Sequence, residues 1–149
     1  VRLSERILHG DPPTRGEIEL AREWTRRETN AVVSAMQGYQ SAASVGTAGT
    51  ITALAAMAQK LPAYEPARIH NYRLTLATVQ ELEQTLLSRR KADRVGLPGL
   101  EKNREDVIAA GAIILRTVME SLGMSSVLVS DLGLREGVLL HLAGEMKEG

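Results

Sequence analysis

Apolar residues recur along this chain at helical spacing in several runs, and glycine or proline separates one run from the next. Ile18, Ala21, Trp24, Ala31, Val32, Ala35 and Met36 follow Thr14-Arg15-Gly16-Glu17, which matches a capping box, so a helix is expected to begin there and end near Gly38. Ala42-Ala43-Ser44-Val45 reads as a short buried strand and Gly46-Thr47-Ala48-Gly49-Thr50 as a glycine turn. Ile51, Leu54, Ala55, Met57 and Ala58 then make the stripe of a shorter helix that stops before Pro62. Residues 61–71, with Pro62 and Pro66, are expected to form a loop, and Tyr72-Arg73-Leu74 to be extended. Val79, Leu82, Leu86 and Leu87 mark a helix to about Arg89, capped by Thr78 of Thr78-Val79-Gln80-Glu81 or by Thr75.

Beyond the polar stretch 89–94, Val95-Gly96-Leu97-Pro98-Gly99-Leu100 punctuates the chain as a turn. Asn103 is a suitable N-cap with Asp106 in the first turn. Val107, Ile108, Gly111, Ile114, Leu115, Val118, Met119 and Leu122 give the helix after it a broad apolar face that ends at Gly123, a suitable C′ residue. Val127-Leu128-Val129 reads as a buried strand. Ser130-Asp131-Leu132-Gly133 turns it into a last helix lined by Leu134, Val138, Leu139, Leu142 and Met146.

Two strands that each run through a glycine turn into a helix predict an α/β fold, helix-rich and with few strands, whose ligands gather at the carboxyl ends of the strands. Two strands are a small platform for so many helices. The chain also opens on Val1 rather than methionine, so it reads as a fragment whose remaining strands lie upstream.

Composition narrows the function classes. Of 149 residues 44% are hydrophobic and 24% charged, enough for one domain with a real core. Eighteen basic and eighteen acidic residues cancel without long blocks of one sign, which argues against nucleic-acid or membrane-surface binding and requires any anion to be held locally. With no Phe, one Trp and three Tyr there is no base-stacking surface. Cysteine is absent, which suits the cytoplasm, no apolar stretch reaches the roughly 18 residues of a membrane span, and no signal-peptide core is visible. His9, His70 and His141 share no ligand spacing, so no histidine metal centre is expected.

The chemistry-bearing candidate is the turn 46–50. A strand, a glycine turn and a helix start present free backbone N–H groups to a phosphate, Gly46 and Gly49 permit close approach, and the Thr47 and Thr50 hydroxyls can donate. Its spacing fits neither G-x-x-x-x-G-K-[ST] nor G-x-G-x-x-G. The plainer alternative is a tight connection in which Thr50 caps the helix. Arg104, near a helix start, opposes the helix dipole and invites either an anion or a salt bridge to Asp106 or a neighbouring helix. The stretch 89–94 is either a positive track for a polyanion or a solvated helix end.

Taken in order, Val45-Gly46-Thr47-Ala48-Gly49-Thr50-Ile51-Thr52, His70-Asn71-Tyr72-Arg73-Leu74, Leu97-Pro98-Gly99-Leu100, Arg104-Glu105-Asp106-Val107-Ile108 and Ser130-Asp131-Leu132-Gly133-Leu134-Arg135-Glu136-Gly137 resemble the carboxyl half of the Ppx/GppA phosphatases. These are exopolyphosphatases and guanosine pentaphosphate phosphohydrolases. Val1-Arg2-Leu3-Ser4-Glu5 resembles the end of a core strand in that family. The resemblance implies a two-domain enzyme of the actin-like ATPase (ribonuclease H-like) superfamily with its active site in the interdomain cleft. Residues 1–149 would be most of the second, C-terminal domain, with the first domain absent.

It further implies that the phosphate-binding D-x-G-G-G-S turn and the catalytic glutamate belong to the other half. This chain would then hold no catalytic residue and be inactive alone, and any Mg²⁺ would take its ligands elsewhere. Gly46, Thr47, Gly49, Thr50 and Arg104 are expected to bind the phosphates of polyphosphate or guanosine pentaphosphate, supported by the turn residues Asp131, Arg135 and Glu136. Leu132 departs from the usual polar or aromatic residue and is assigned no ligand contact. A cytoplasmic homodimer is expected. The rival readings are a non-catalytic polyphosphate or alarmone-binding module and a helical dimerisation module built on the 107–122 face.

Overall fold

The computed structural model describes residues 2–36 and 43–145, apart from the side chains of Arg2, Arg135 and Glu145. The capping box forms. Glu17 N donates to Thr14 Oγ1 at 3.3 Å, and the Glu17 carboxylate accepts from Thr14 N at 2.7 Å and Thr14 Oγ1 at 2.8 Å. The same carboxylate gathers His9 N at 2.7 Å and Gly10 N at 2.8 Å, tying the segment behind α1 (Arg2–Arg6) to the start of α2 (Arg15–Met36). The Thr14 amide first, then the Thr14 hydroxyl and the Gly10 amide, hold this carboxyl down at about 2. The expected end of α2 at Gly38, and Ala42 of the next strand, lie outside the described residues. Residues 2–6 are helical, not the end of a strand, and Leu3 is buried at 3% exposure as a knob in the core.

Three strands pair among the described residues, the two expected and a third that forms from the segment expected to be extended at 72–74. They are β1 (Val45–Thr47), β2 (Arg73–Thr75) and β3 (Ser126–Ser130), in the order β1-β3-β2. β3 is central, parallel to β1 with Gly46 opposite Val129 and antiparallel to β2 with Leu74 opposite Val127. Gly46, Leu74, Val127 and Val129 are buried on one face, while Val45 on the other is 65% exposed, so the described residues cover the sheet on one side only. β1 itself sits later than predicted, taking Gly46 and Thr47 into the strand and reducing the turn to Ala48.

Against the buried face lies α3 (Gly49–Ala58), in which residues 52–57 are all buried. It is enclosed rather than amphipathic, and its alanines allow that: a Cβ at Gly99, whose φ is +81°, would run into the Ala56–Met57 backbone. The expected loop 61–71 contains a short helix, α4 (Pro66–Ile69), started by proline at its first position. Thr75, not Thr78, caps α5 (Leu76–Leu87), its Oγ1 accepting from Thr78 N at 3.1 Å. Asn103 adopts φ +66° and is no N-cap; α6 (Ile108–Ser121) begins later because the Arg104 carbonyl takes the amides of Val107 at 3.2 Å and Ile108 at 3.0 Å. Gly123, at φ +64°, ends α6 as foreseen, followed by Met124 N donating to Met119 O at 2.8 Å.

Two charged side chains are interior among the described residues. Glu83 of α5 is fully buried and receives Arg22 Nη2 of α2 at 2.8 Å and Arg116 Nη1 of α6 at 2.7 Å. Arg94 is buried too and donates to the carbonyls of Leu86 at 2.9 Å, Glu105 at 2.9 Å and Arg89 at 3.0 Å. Burial lowers its pKa, and Asp11 acts in the opposite sense. The stretch 89–94 is therefore not a continuous exposed track: its last arginine plugs the end of α5.

The final helix, α7 (Leu134–Glu145), forms where expected, but the apolar residues that line it are open, Leu134, Val138, Leu139 and Leu142 being 85%, 48%, 66% and 50% exposed, while Met146 lies outside the described residues. Its apolar side meets no packing surface among the described residues. No helix among them is long and apolar enough to cross a membrane.

Candidate functional site

Because β1 and β3 are parallel and β2 runs against them, the carboxyl ends of β1 and β3 and the start of β2 share one edge. The turn at Ala48, the segment 131–133 and His70 all meet there. Ala48 occupies the N-cap position of α3 at φ 76° and ψ 166°, backbone space that ordinarily belongs to glycine, and it has no side chain with which to cap. The Ile51 and Thr52 amides donate to the Ala48 carbonyl at 3.0 and 3.2 Å, which leaves Gly49 and Thr50 as the amides at the helix's open end.

The glycines of this turn serve proximity rather than left-handed backbone. A Cβ on Gly46 would sit 2.8 Å from Ile51 Cδ1. A Cβ on Gly49 would occupy the place of Arg104 Nη1, so the Arg104 guanidinium lies directly on the helix start. Its partner is Glu101, with Nε to Oε2 at 2.6 Å, not Asp106, which pairs at 3.8 Å with Lys91. Thr50 turns its side chain inward against Gly111 of α6, where a Cβ would meet Thr50 Oγ1 at 2.8 Å; the residue offers the edge its amide. The cap position belongs to Ala48, so Thr50 is not the helix cap.

The second turn locks onto the first. Thr47 Oγ1 donates to the Leu132 carbonyl at 3.1 Å, and Ser130 Oγ donates to the same oxygen at 2.9 Å. Gly133 N donates to Glu136 Oε2 at 2.7 Å, starting α7. Leu132 thus contributes only backbone to these bonds, its side chain being 53% exposed. Asp131 N donates to His70 Nδ1 at 3.4 Å, and the Asp131 carboxylate accepts from the Tyr64 hydroxyl. Burial first, then the Asp131 carboxylate, pushes the Tyr64 phenol above its usual range, and Glu101 adds to the push. The Arg135 side chain lies outside the described residues.

Gly46, Thr47, Gly49, Thr50 and Arg104 are thus brought together, with Asp131 and Glu136 on the adjoining turn. Tyr64 and Glu101 belong to the same edge and were missed. Glu101 carried a signal, an acid three residues before Arg104; Tyr64, alone between Pro62 and Pro66, carried none. The edge is a shelf, with Thr47 and Ala48 exposed and Gly49, Thr50 and Arg104 half-buried. A groove of about 880 Å³ lies elsewhere, between α2 and α5, and its Arg22 and Arg116 share Glu83 and are each paired with a second acid, Glu19 and Glu120. No group of three or more acidic or histidine side chains among the described residues is arranged to hold a metal ion. On the shelf, Glu101, Asp131 and Glu136 are each committed to a different protein partner. This donor set does not fit a Mg²⁺ centre.

Comparison with known proteins gives a consistent set of likenesses. The sequence profile of the Ppx/GppA phosphatase family matches residues 1–146. Exopolyphosphatase 2 of Mycobacterium tuberculosis is 36% identical over 148 residues, covering 97% of this chain and 46% of that protein. The guanosine-5′-triphosphate,3′-diphosphate pyrophosphatase of Aeromonas hydrophila is 34% identical over 100 residues, 67% of this chain and 19% of its own length. The crystal structure of the Aquifex aeolicus Ppx/GppA member superposes with a TM-score of 0.87 at 31% identity, covering 99% of this chain and 46% of that one. The chain therefore spans just under half the length of these fuller-matching relatives.

Proposed function

The chain belongs to the Ppx/GppA phosphatase family, and from that premise we propose that residues 1–149 are most of the second, C-terminal domain of an enzyme that releases terminal orthophosphate from polyphosphate or guanosine pentaphosphate. Its helix-rich architecture with a small three-stranded sheet, superposing on 46% of the Aquifex aeolicus family member, supports that reading. The names borne by its relatives in M. tuberculosis and A. hydrophila supply the two substrate classes.

In this reading the domain holds the phosphate chain along one wall of an interdomain cleft, and water attacks the terminal phosphorus with a carboxylate base supplied by the other half. The Gly49 and Thr50 amides and the Arg104 guanidinium donate to non-bridging oxygens, fixing the chain in line for attack. Thr47, donating to the Leu132 carbonyl, holds the two turns in register, while Asp131 and Glu136 brace the second through Tyr64 and Gly133. No step is assigned to a metal on these residues, and the Mg²⁺ that the family resemblance implies would be held by the remainder of a cytoplasmic, homodimeric enzyme.

The observation that carries the proposal is the Arg104 guanidinium seated on Gly49 at an uncapped helix start. Orthophosphate release from both substrates should be measured with this chain, with the other half and with the two joined. Activity only in the joined form is expected, and Arg104→Ala there should lower kcat/KM by about 10- to 100-fold, the range for one charge-assisted contact. Unchanged kcat/KM in that variant would remove Arg104 from the phosphate site. Binding without activity in every form would favour the sensor module.

A further inference from the structure

Arg104 already holds an anion, and it comes from its own chain. The Glu101 carboxylate meets Arg104 Nε at 2.6 Å while Nη1 of the same guanidinium lies on Gly49. Both side chains are about one-third exposed, at 39% for Glu101 and 35% for Arg104, so the pair faces the shelf and water. Among the described residues the guanidinium has no other ion pair. The guanidinium that lies on the helix start already accepts one negative charge, through its Nε.

Two consequences follow for a phosphate arriving at Gly49. Glu101 orients the guanidinium by occupying its Nε–H, leaving the Nη donors toward the helix start. It also repels the arriving oxygens and competes for the donors they need. At a half-exposed site an ion pair is weak, so the carboxylate can be displaced, yet its charge remains within a few ångströms of the ligand.

We propose that Glu101 is an affinity-setting residue of the phosphate site, an internal carboxylate that keeps Arg104 poised over Gly49 when the shelf is empty and weakens its hold when a phosphate chain is bound. The inference rests on the phosphate reading of the shelf. It gives that site a defined property: contacts with the chain stay exchangeable, as they must be if a product leaves and the shortened substrate shifts at each turnover.

The test is a calorimetric titration of this chain with sodium tripolyphosphate at low ionic strength, for the unaltered protein, Glu101→Gln and Arg104→Ala. Glutamine keeps an acceptor for Nε–H and removes only the charge. Glu101→Gln should bind about three- to tenfold more tightly, the scale of one repulsion at a partly exposed site, and Arg104→Ala about tenfold or more weakly. A gain in affinity is an effect that damage to the fold would not produce. Arg104-dependent binding that Glu101→Gln leaves equal or weaker overturns this inference and leaves the phosphate shelf standing. Binding indifferent to Arg104→Ala, or no binding by either the unaltered protein or Glu101→Gln, overturns both.

Discussion

Ala48 carries the backbone conformation a reader of the sequence would give to Gly46 or Gly49. At φ 76° and ψ 166° its methyl group is held where glycine is ordinarily needed, a cost of about 1–3 kcal/mol. Ala48→Gly should stabilise the chain by about 1 kcal/mol in urea unfolding, after the glycine's extra unfolded-state entropy is subtracted; a loss of stability would show that the alanine is not strained. Glycine spacing marked the turn correctly, but the reason for each glycine is a neighbour distant in sequence, Arg104 for Gly49 and Ile51 with Val127 for Gly46. Glu17 is nearer the opposite case, its capping pair with Thr14 written by its immediate neighbours and only the His9 and Gly10 amides added by the fold. Its carboxyl is depressed from the ordinary 4.5 to about 2, so the stability it adds is present above 4.5 and is lost as pH falls toward 2. Glu17→Gln should flatten the fall in stability across that window; an unchanged acid limb would sink the assignment.

Among elements, the cap of α2 and the stop of α6 are local, and Thr14 and Gly123 could be read from sequence alone. Where two caps competed, Thr75 and Thr78, the pairing of β2 with β3 settles the register, since Thr75 ends β2 opposite Ser126. Glu83 was invisible by pattern, lying in α5 like any surface acid. It joins three helices because Arg22 and Arg116 reach it from α2 and α6. Glu83→Ala should cost about 3 kcal/mol, the low end for breaking a buried pair, because both arginines keep partial solvent contact. A change within about 0.5 kcal/mol, the range of ordinary surface substitutions, would mean that the bridge contributes little.

Over the whole molecule, burial concentrates around α3 and the covered face of β3, while α7 and the other face of the sheet remain open. Hydrogen exchange should divide accordingly. Amides of α3 and β3 are expected to exchange only through global unfolding, and those of α7 about 100-fold faster or more, through local opening. Equal protection of α7 and α3 would contradict that division. The apolar residues of α7 had the spacing of a core helix, and spacing was all that sequence could offer, for it cannot say whether a partner face is present. The small strand count read from the sequence agrees with a chain matching 46% of its fuller relatives, though β2 added a third strand.

The sequence by itself determined the longer helices, the Thr14 cap and the Gly123 stop, the α/β class and the family, because each is written in residues a few positions apart or in ordered motifs. The tertiary structure alone decided that Arg104 lies on Gly49, that Glu101 holds it, that Tyr64 meets Asp131, that Thr50 turns inward to Gly111 and that α7 faces outward. Those relations join residues that a folded sheet edge brings together, and packing distance, which no local pattern encodes, sets them.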